Sequence, residues 1–194
     1  MVLYLSIIFI SAAIVSLFDI LFGLEMLNCQ WWFVIIACLL GIVFEFIVDL
    51  IVAIIIKKTP NKWYSPDKKI FNVPKWYKGF AERLGVKAWK DKIWELGSAG
   101  GFSKRKIDNP KDIDYINTFL IEINKGIITH YLIVPIGFTL LLVFPANYIL
   151  PLTLPIAVVN AFLNLLPIVV LKYNYPKLKN LKEFLTRQKN KTLN

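Results

Sequence analysis

His130 is the only histidine in the chain, and it stands in FLIEINKGIITHYLIV (residues 119–134), where a charged stretch turns into a long apolar run. Imidazole is the side chain whose ordinary pKa lies near neutrality, so this position can carry acid–base chemistry. The plainer alternative is a polar residue anchoring a membrane helix at its rim. Glu45 and Asp49, in FEFIVDL, are spaced i, i+4 and share a helix face. Their apolar run contains no lysine or arginine, so both acids cannot be comfortably charged at once. Such a pair handles protons, binds a hydroxyl, or bridges helices. Asp19 lies in a similar run, and Glu25 falls in the turn that follows. Asn160 and Asn164 are also i, i+4, with Tyr173 and Asn174 beyond them. An amide within a span is ordinarily interhelical glue. A last cluster, LGSAGGFSKRKIDNPKD, sets glycines beside Lys104, Arg105 and Lys106, a composition that can hold a phosphate but matches neither a Walker nor a dinucleotide motif.

The elements that must position these residues are read from composition. Hydrophobic residues make up 57% of the 194, and the mean hydropathy is +0.57. That places the chain in the membrane class. Residues 2–24 and 31–56 are each long enough to cross a hydrocarbon core of ~30 Å at ~1.5 Å per residue. Residues 127–150 and 152–171 form a second pair around Asn147–Pro151. The first block is expected to be a span rather than a cleaved signal, because it lacks a basic leader and is longer than a usual signal core. All 23 Lys and Arg fall in two places, 16 between Lys57 and Lys125 and 7 between Lys172 and Lys191. Positive charge stays on the cytoplasmic side, so the central loop, the tail and the N-terminus are expected inside, with residues 25–30 and 146–151 as external turns.

The expected fold is therefore an all-α integral membrane protein of about four transmembrane helices in two hairpins. Its parts are an N-terminal hairpin (1–56), a basic Trp-rich loop (57–126), a C-terminal hairpin (127–172) and a basic tail (173–194). In PKWYKGFAERLGVKAWKDKIWELG the aromatics Trp76, Phe80, Trp89 and Trp94 alternate with lysines. This favours short amphipathic helices on the membrane surface, with lysines at anionic lipid headgroups. A small folded cytoplasmic cap is compatible with that. No nucleic-acid reader motif is present, so nucleic acid is not an expected partner. Cys29 and Cys38 would be ~13 Å apart on one helix, too far for a disulfide, and suggest no metal site. The sequence does not distinguish a monomer from an oligomer. On the predicted topology Glu45, Asp49, Glu122, His130, Asn164, Tyr173 and Asn174 all fall in or near the cytoplasmic half of the bilayer.

Four segments carry a family resemblance. Trp89-Lys90-Asp91, Gly100-Gly101-Phe102-Ser103-Lys104, the run from Glu122 to His130, and the run from Asn164 to Leu178 follow one another in that order. They resemble the Trp-Lys-Asp, Gly-Gly-Phe-x-Lys, Glu-Thr-x-Arg-Ala-Glu-x-x-His and Asn-Leu-Pro with Gln-Arg-Tyr-Asn-Arg-Pro-Arg-Leu segments of the glycosyl-4,4'-diaponeurosporenoate acyltransferase family. Those membrane enzymes are associated with the last step of staphyloxanthin-type carotenoid synthesis. Lys125 stands where the family has its first Arg, Ile127 where it has its second Glu, and Tyr175 where it has the Arg after Tyr-Asn. Leu171-Lys172 replaces the Gln-Arg pair, and Pro167 comes one place late.

The resemblance implies transfer of an acyl group from acyl-CoA or a similar thioester, as co-substrate, to a hydroxyl of a membrane lipid acceptor such as a glycosylated isoprenoid, at the cytoplasmic leaflet. No metal or redox cofactor is expected. His130 would be the base and Glu122 its orienting acid. On one straight helix these two lie ~12 Å apart and ~80° around the axis, so either the helix breaks near Gly126 or they serve different parts of the substrate. Asn164 and Tyr173 would bind oxyanion or hydroxyl, and Lys104, Arg105 and Lys125 the donor phosphates; Asn174 is expected among the substrate-binding residues, as are Glu45 and Asp49 from their own spacing. Two other classes fit the same residues. One is a non-catalytic membrane scaffold or partner subunit derived from the family, and the other a small proton-coupled transporter using Asp19, Glu45 and Asp49.

Overall fold

The computed structural model describes residues 2–93 and 107–193. Every element among them is helical, and four helical stretches are long and apolar enough to cross a membrane. The protein is thus an all-α multi-pass membrane protein. A span must satisfy its own backbone donors and acceptors in lipid, which the helix does within one segment. The chain divides into two compact units, one of residues 1–55 with 129–166 and the other of residues 56–128 with 167–194.

The first unit contains no lysine or arginine and holds Asp19, Glu25, Glu45 and Asp49. Helix α1 (Val2–Phe18) passes into a π-helical turn, Asp19–Gly23, and then into the short α2 (Leu24–Leu27). Asn28 closes α2 in the left-handed conformation at φ 49°, its backbone N–H donating to the Leu24 carbonyl. Helix α3 (Trp31–Lys58) follows the turn, and its Cys38 Sγ lies 4.0 Å from the Ala12 carbonyl of α1. Helices α6 (Ile113–Gly137) and α7 (Leu154–Leu193) supply the other half of the unit. Asn147 Nδ2 donates to the Leu27 carbonyl at 3.1 Å, so both hairpin turns lie at one end. Leu27, Val34, Ala37, Cys38, Leu140 and Leu152 form the buried core there.

The second unit contains all 23 basic residues. Helices α4 (Trp76–Arg83) and α5 (Val86–Trp89) are short helices within the basic, Trp-rich segment, joined where Gly85 takes φ +67°. Tyr77, Ala81 and Val86 bury one face with Tyr173, while Trp63, Ile70, Trp76, Phe80 and Leu84 stay exposed. Helix α6 begins at Ile113, well before the apolar run that starts at residue 127. Asp112 Oδ1 accepts from the backbone N–H groups of Asp114 and Tyr115, at 2.9 and 3.2 Å, which caps the helix. The buried stripe Ile116, Phe119, Leu120, Ile123, Ile127 then follows helical spacing. Helix α7 does not stop at the charged tail but runs for 40 residues through Pro167 and Pro176.

Candidate active site

The first unit gathers five of its polar side chains, from α3, α6 and α7, into one connected group. His130 Nδ1 lies 2.8 Å from Asn164 Oδ1. Asn164 Nδ2 donates to Asn160 Oδ1 at 3.0 Å, to the Asn160 carbonyl at 3.1 Å and to Asp49 Oδ2 at 3.3 Å. Asn160 Nδ2 in turn donates to Glu45 Oε2 at 2.7 Å and to Asp49 Oδ1 at 3.4 Å. The i, i+4 pairs on α3 and α7 thus face each other, and His130 joins from α6. The reason is local chemistry. A buried carboxylate needs donors, the unit has no lysine or arginine, and the two amides are the donors that helix spacing brings into reach.

Two glycine and tyrosine positions complete the packing. A Cβ on Gly137 would sit 2.9 Å from Glu45 Oε2 and 3.0 Å from Asn160 Nδ2, so only glycine lets α6 approach this group so closely. Pro167 has no N–H to give the carbonyl four residues earlier, and the Tyr4 hydroxyl donates to that Leu163 carbonyl instead. Glu45 and Asn164 are buried; His130, Asp49 and Asn160 are half-buried.

Of the other residues singled out from sequence, Asp19 is buried in the first unit outside this group, Glu25 is exposed there, and the rest lie in the second unit or outside the described residues. Helix α6 is continuous through Gly126, so it has no break there. Glu122 sits 3.9 Å from Lys125 Nζ, which also donates to the Lys57 carbonyl at 3.3 Å and lies over the Tyr64 ring. A cation at that carbonyl meets the negative end of α3. Asn174 is half-buried on α7. Lys104 and Arg105 fall outside the described residues.

The Tyr173 hydroxyl donates to Glu82 Oε1 at 3.2 Å, and Lys87 Nζ lies 3.0 Å from the same oxygen. The hydrogen bond and charge of Lys87 hold the Glu82 carboxyl below its ordinary range. Because the folded-state pKa is depressed, this contribution to stability is present above the unfolded value of about 4.3 and is lost as pH falls through the folded one. Hydrogen exchange over residues 76–89 is therefore expected to be slower in wild type than in Glu82→Gln near neutrality. The two should converge once Glu82 is protonated. Equal exchange at neutral pH would mean that Glu82 does not hold these helices.

Asn160, marked in the sequence but not among the expected substrate-binding residues, joins the site, and Gly137 and Tyr4 pack beside it with no such mark. For Asn160 the signal is its i−4 relation to Asn164. A glycine before an apolar run and a tyrosine near the chain start carry no comparable signal.

Fold and site together define a multi-pass helical membrane protein with a histidine, two amides and two carboxylates linked inside its apolar unit. The sequence profile described as glycosyl-4,4'-diaponeurosporenoate acyltransferase matches residues 60–183, which is 124 of the 194 residues, and the chain belongs to that acyltransferase family. No curated protein and no solved structure matches it. The matched segment includes His130, Asn160 and Asn164, whereas Tyr4, Glu45 and Asp49 precede it.

Proposed function

We propose that the protein transfers a fatty acyl group from a thioester donor, acyl-CoA or a similar molecule, to a hydroxyl of a lipid-linked acceptor such as a glycosylated isoprenoid. The observation that carries this reading is the His130–Asn164 hydrogen bond inside the apolar unit of a chain that belongs to an acyltransferase family. A histidine held through one ring nitrogen presents the other to a substrate, the arrangement used by Cys-His-Asn and Ser-His-Asp sites. His130 takes the proton of the acceptor hydroxyl as its oxygen attacks the thioester carbonyl. The attack forms the new C–O bond and a tetrahedral oxyanion; as this collapses the carbonyl C=O re-forms, the C–S bond breaks, and the proton passes from His130 to the departing thiolate. Lysine and arginine confined to the second unit support a cytoplasmic position for that unit and for both termini, with the reaction at the cytoplasmic leaflet of the cell membrane. Its basic residues and exposed aromatics suit anionic headgroups.

Mass spectrometry of total lipids from cells with and without the protein tests the reading. The expected result is a lipid heavier by one fatty acyl group only where the protein is expressed, which also identifies the acceptor. Identical lipid profiles with abundant, folded protein would overturn it.

A further inference from the structure

We infer that Asn160 and Glu45 are positioning residues for His130, acting through Asn164 along one directed chain of hydrogen bonds. The proposal rests on the acyl-transfer reading for its kinetic consequence but on geometry alone for its structural one.

Direction follows from which atoms can only accept. The Asn160 backbone carbonyl is a fixed acceptor, and it lies 3.1 Å from one end of the Asn164 amide. That end is therefore the NH₂, and the Asn164 oxygen is turned toward His130. An amide oxygen only accepts, so His130 Nδ1 must carry the hydrogen. In the neutral ring the lone pair then resides on Nε2, the nitrogen needed as base. The same logic extends outward. Asn160 Oδ1 accepts from Asn164 at 3.0 Å, which turns the Asn160 NH₂ onto Glu45 Oε2 at 2.7 Å. The links of 2.8, 3.0 and 2.7 Å are of ordinary hydrogen-bond length, whereas the contacts to Asp49 at 3.3 and 3.4 Å are longer. Glu45 is thus the terminus of the chain, Asn160 its joint, and Asp49 a brace with one oxygen on each amide.

A chain of this kind holds the ring in one tautomer and one orientation. Reversing Asn164 would set its oxygen against both the Asn160 backbone carbonyl and Asn160 Oδ1, and reversing Asn160 would set its oxygen against Glu45, so the Asn160 side chain and Glu45 reinforce an orientation that the backbone carbonyl already favours. The sequence-based reading of Glu45 and Asp49 as substrate ligands is replaced here by a role behind the base. Gly137 belongs to the same device, since its missing Cβ leaves room for the joint.

The single histidine makes the test direct. In protein labelled with ¹⁵N-histidine, both ring nitrogens belong to His130 without further assignment. Nitrogen spectra of the full chain in detergent or nanodiscs, at a pH where the ring is neutral, are expected to show Nδ1 protonated and Nε2 bare. The opposite pattern in wild type would overturn the proposal, and that measurement needs no variant. Asn160→Ala, Glu45→Ala and Gly137→Ala, the last of which removes no polar group, leave the Asn160 backbone carbonyl in place but weaken its reinforcement, and are expected to mix in a minor share of the other tautomer. Glu45→Gln keeps an acceptor oxygen for Asn160 and should retain the wild-type pattern. With acceptor and thioester in hand, Asn160→Ala should lower kcat about 10²-fold, the scale of a misplaced catalytic group, with little change in KM. An unchanged tautomer in Asn160→Ala and Glu45→Ala would remove both from the device. If the tautomers behave as expected while His130→Ala still forms product, the positioning chain stands and the acyl-transfer mechanism falls.

Discussion

Replacing His130 with alanine is expected to lower the rate of acyl transfer by about 10²–10⁴-fold, the range that a positioned acid–base group contributes. An aliphatic or sugar hydroxyl is a poor nucleophile until its proton is removed as the new bond forms. The first unit offers no other side chain whose ordinary pKa lies near neutrality, since its remaining titratable groups are carboxyls, tyrosines and the two cysteines. Alanine also leaves Asn164 Oδ1 without its partner, a cost of about 1–3 kcal/mol if water does not enter. A structural loss must therefore be separated from a chemical one. His130→Gln does so, because its side-chain amide can still donate to Asn164 Oδ1 but cannot take a proton. Both variants should lose the acylated lipid while keeping wild-type expression and melting behaviour for the glutamine form. Product formation by His130→Gln within a few-fold of wild type would exclude His130 as the base.

The carboxylates and the amides are half-legible in the sequence. Glu45 with Asp49 and Asn160 with Asn164 announce a shared helix face by their spacing, and a basic-free span makes any acid in it conspicuous. Their meeting across helices is not legible. The rotational phase of a helix is read from an apolar stripe against a polar face, and α1 and α3 are apolar nearly all round. Nothing in such a pattern says that Glu45 faces Asn160 rather than lipid. The number of spans and their pairing into hairpins were legible, because block length and charge asymmetry are global features that survive small errors in boundary. Boundaries themselves were less so. Helix α6 starts at Ile113 because of the Asp112 cap and the Ile116–Ile127 stripe, both of which lie in a stretch polar enough to read as loop. Helix α7 runs past Pro167 because a carbonyl freed by proline inside a membrane protein is met from elsewhere, here by Tyr4. Tyr173 shows the limit of reading depth from topology. It shares the expected level with Asn164, yet its hydroxyl is engaged by Glu82 in the second unit.

Tyr175 is where the largest effect on folding is expected. It stands at the position of an arginine in the family segment that the chain resembles, and it is the largest of the fully buried side chains, 1% exposed. It lies in the second unit, whose buried side chains also include Phe119, Leu120 and Ile123, and its hydroxyl donates to the Pro66 carbonyl at 3.4 Å while accepting from Asn124 Nδ2 at 3.4 Å. Two contributions can be weighed. Both hydroxyl contacts are long, and Asn124 Nδ2 has a better acceptor in the Tyr64 carbonyl at 2.9 Å. Loss of the hydroxyl in Tyr175→Phe should therefore cost only about 1 kcal/mol. Loss of the ring in Tyr175→Ala should cost about 3–5 kcal/mol, because a buried aromatic leaves a cavity that its neighbours fill only in part. Packing wins over hydrogen bonding by this reckoning. Limited proteolysis of the loop between Lys57 and Ile93, with thermal melting in detergent, distinguishes the two variants. The alanine form should be cleaved readily at temperatures where wild type and phenylalanine resist. If phenylalanine proves as damaging as alanine, the hydroxyl network rather than the ring holds the unit. If alanine is harmless, the second unit is not built around this side chain. The expected ranking gives the substitution of arginine by tyrosine a physical meaning. A guanidinium would need its donors satisfied at a site that supplies a few carbonyl acceptors, whereas the phenol brings one hydroxyl and fills the rest with apolar surface.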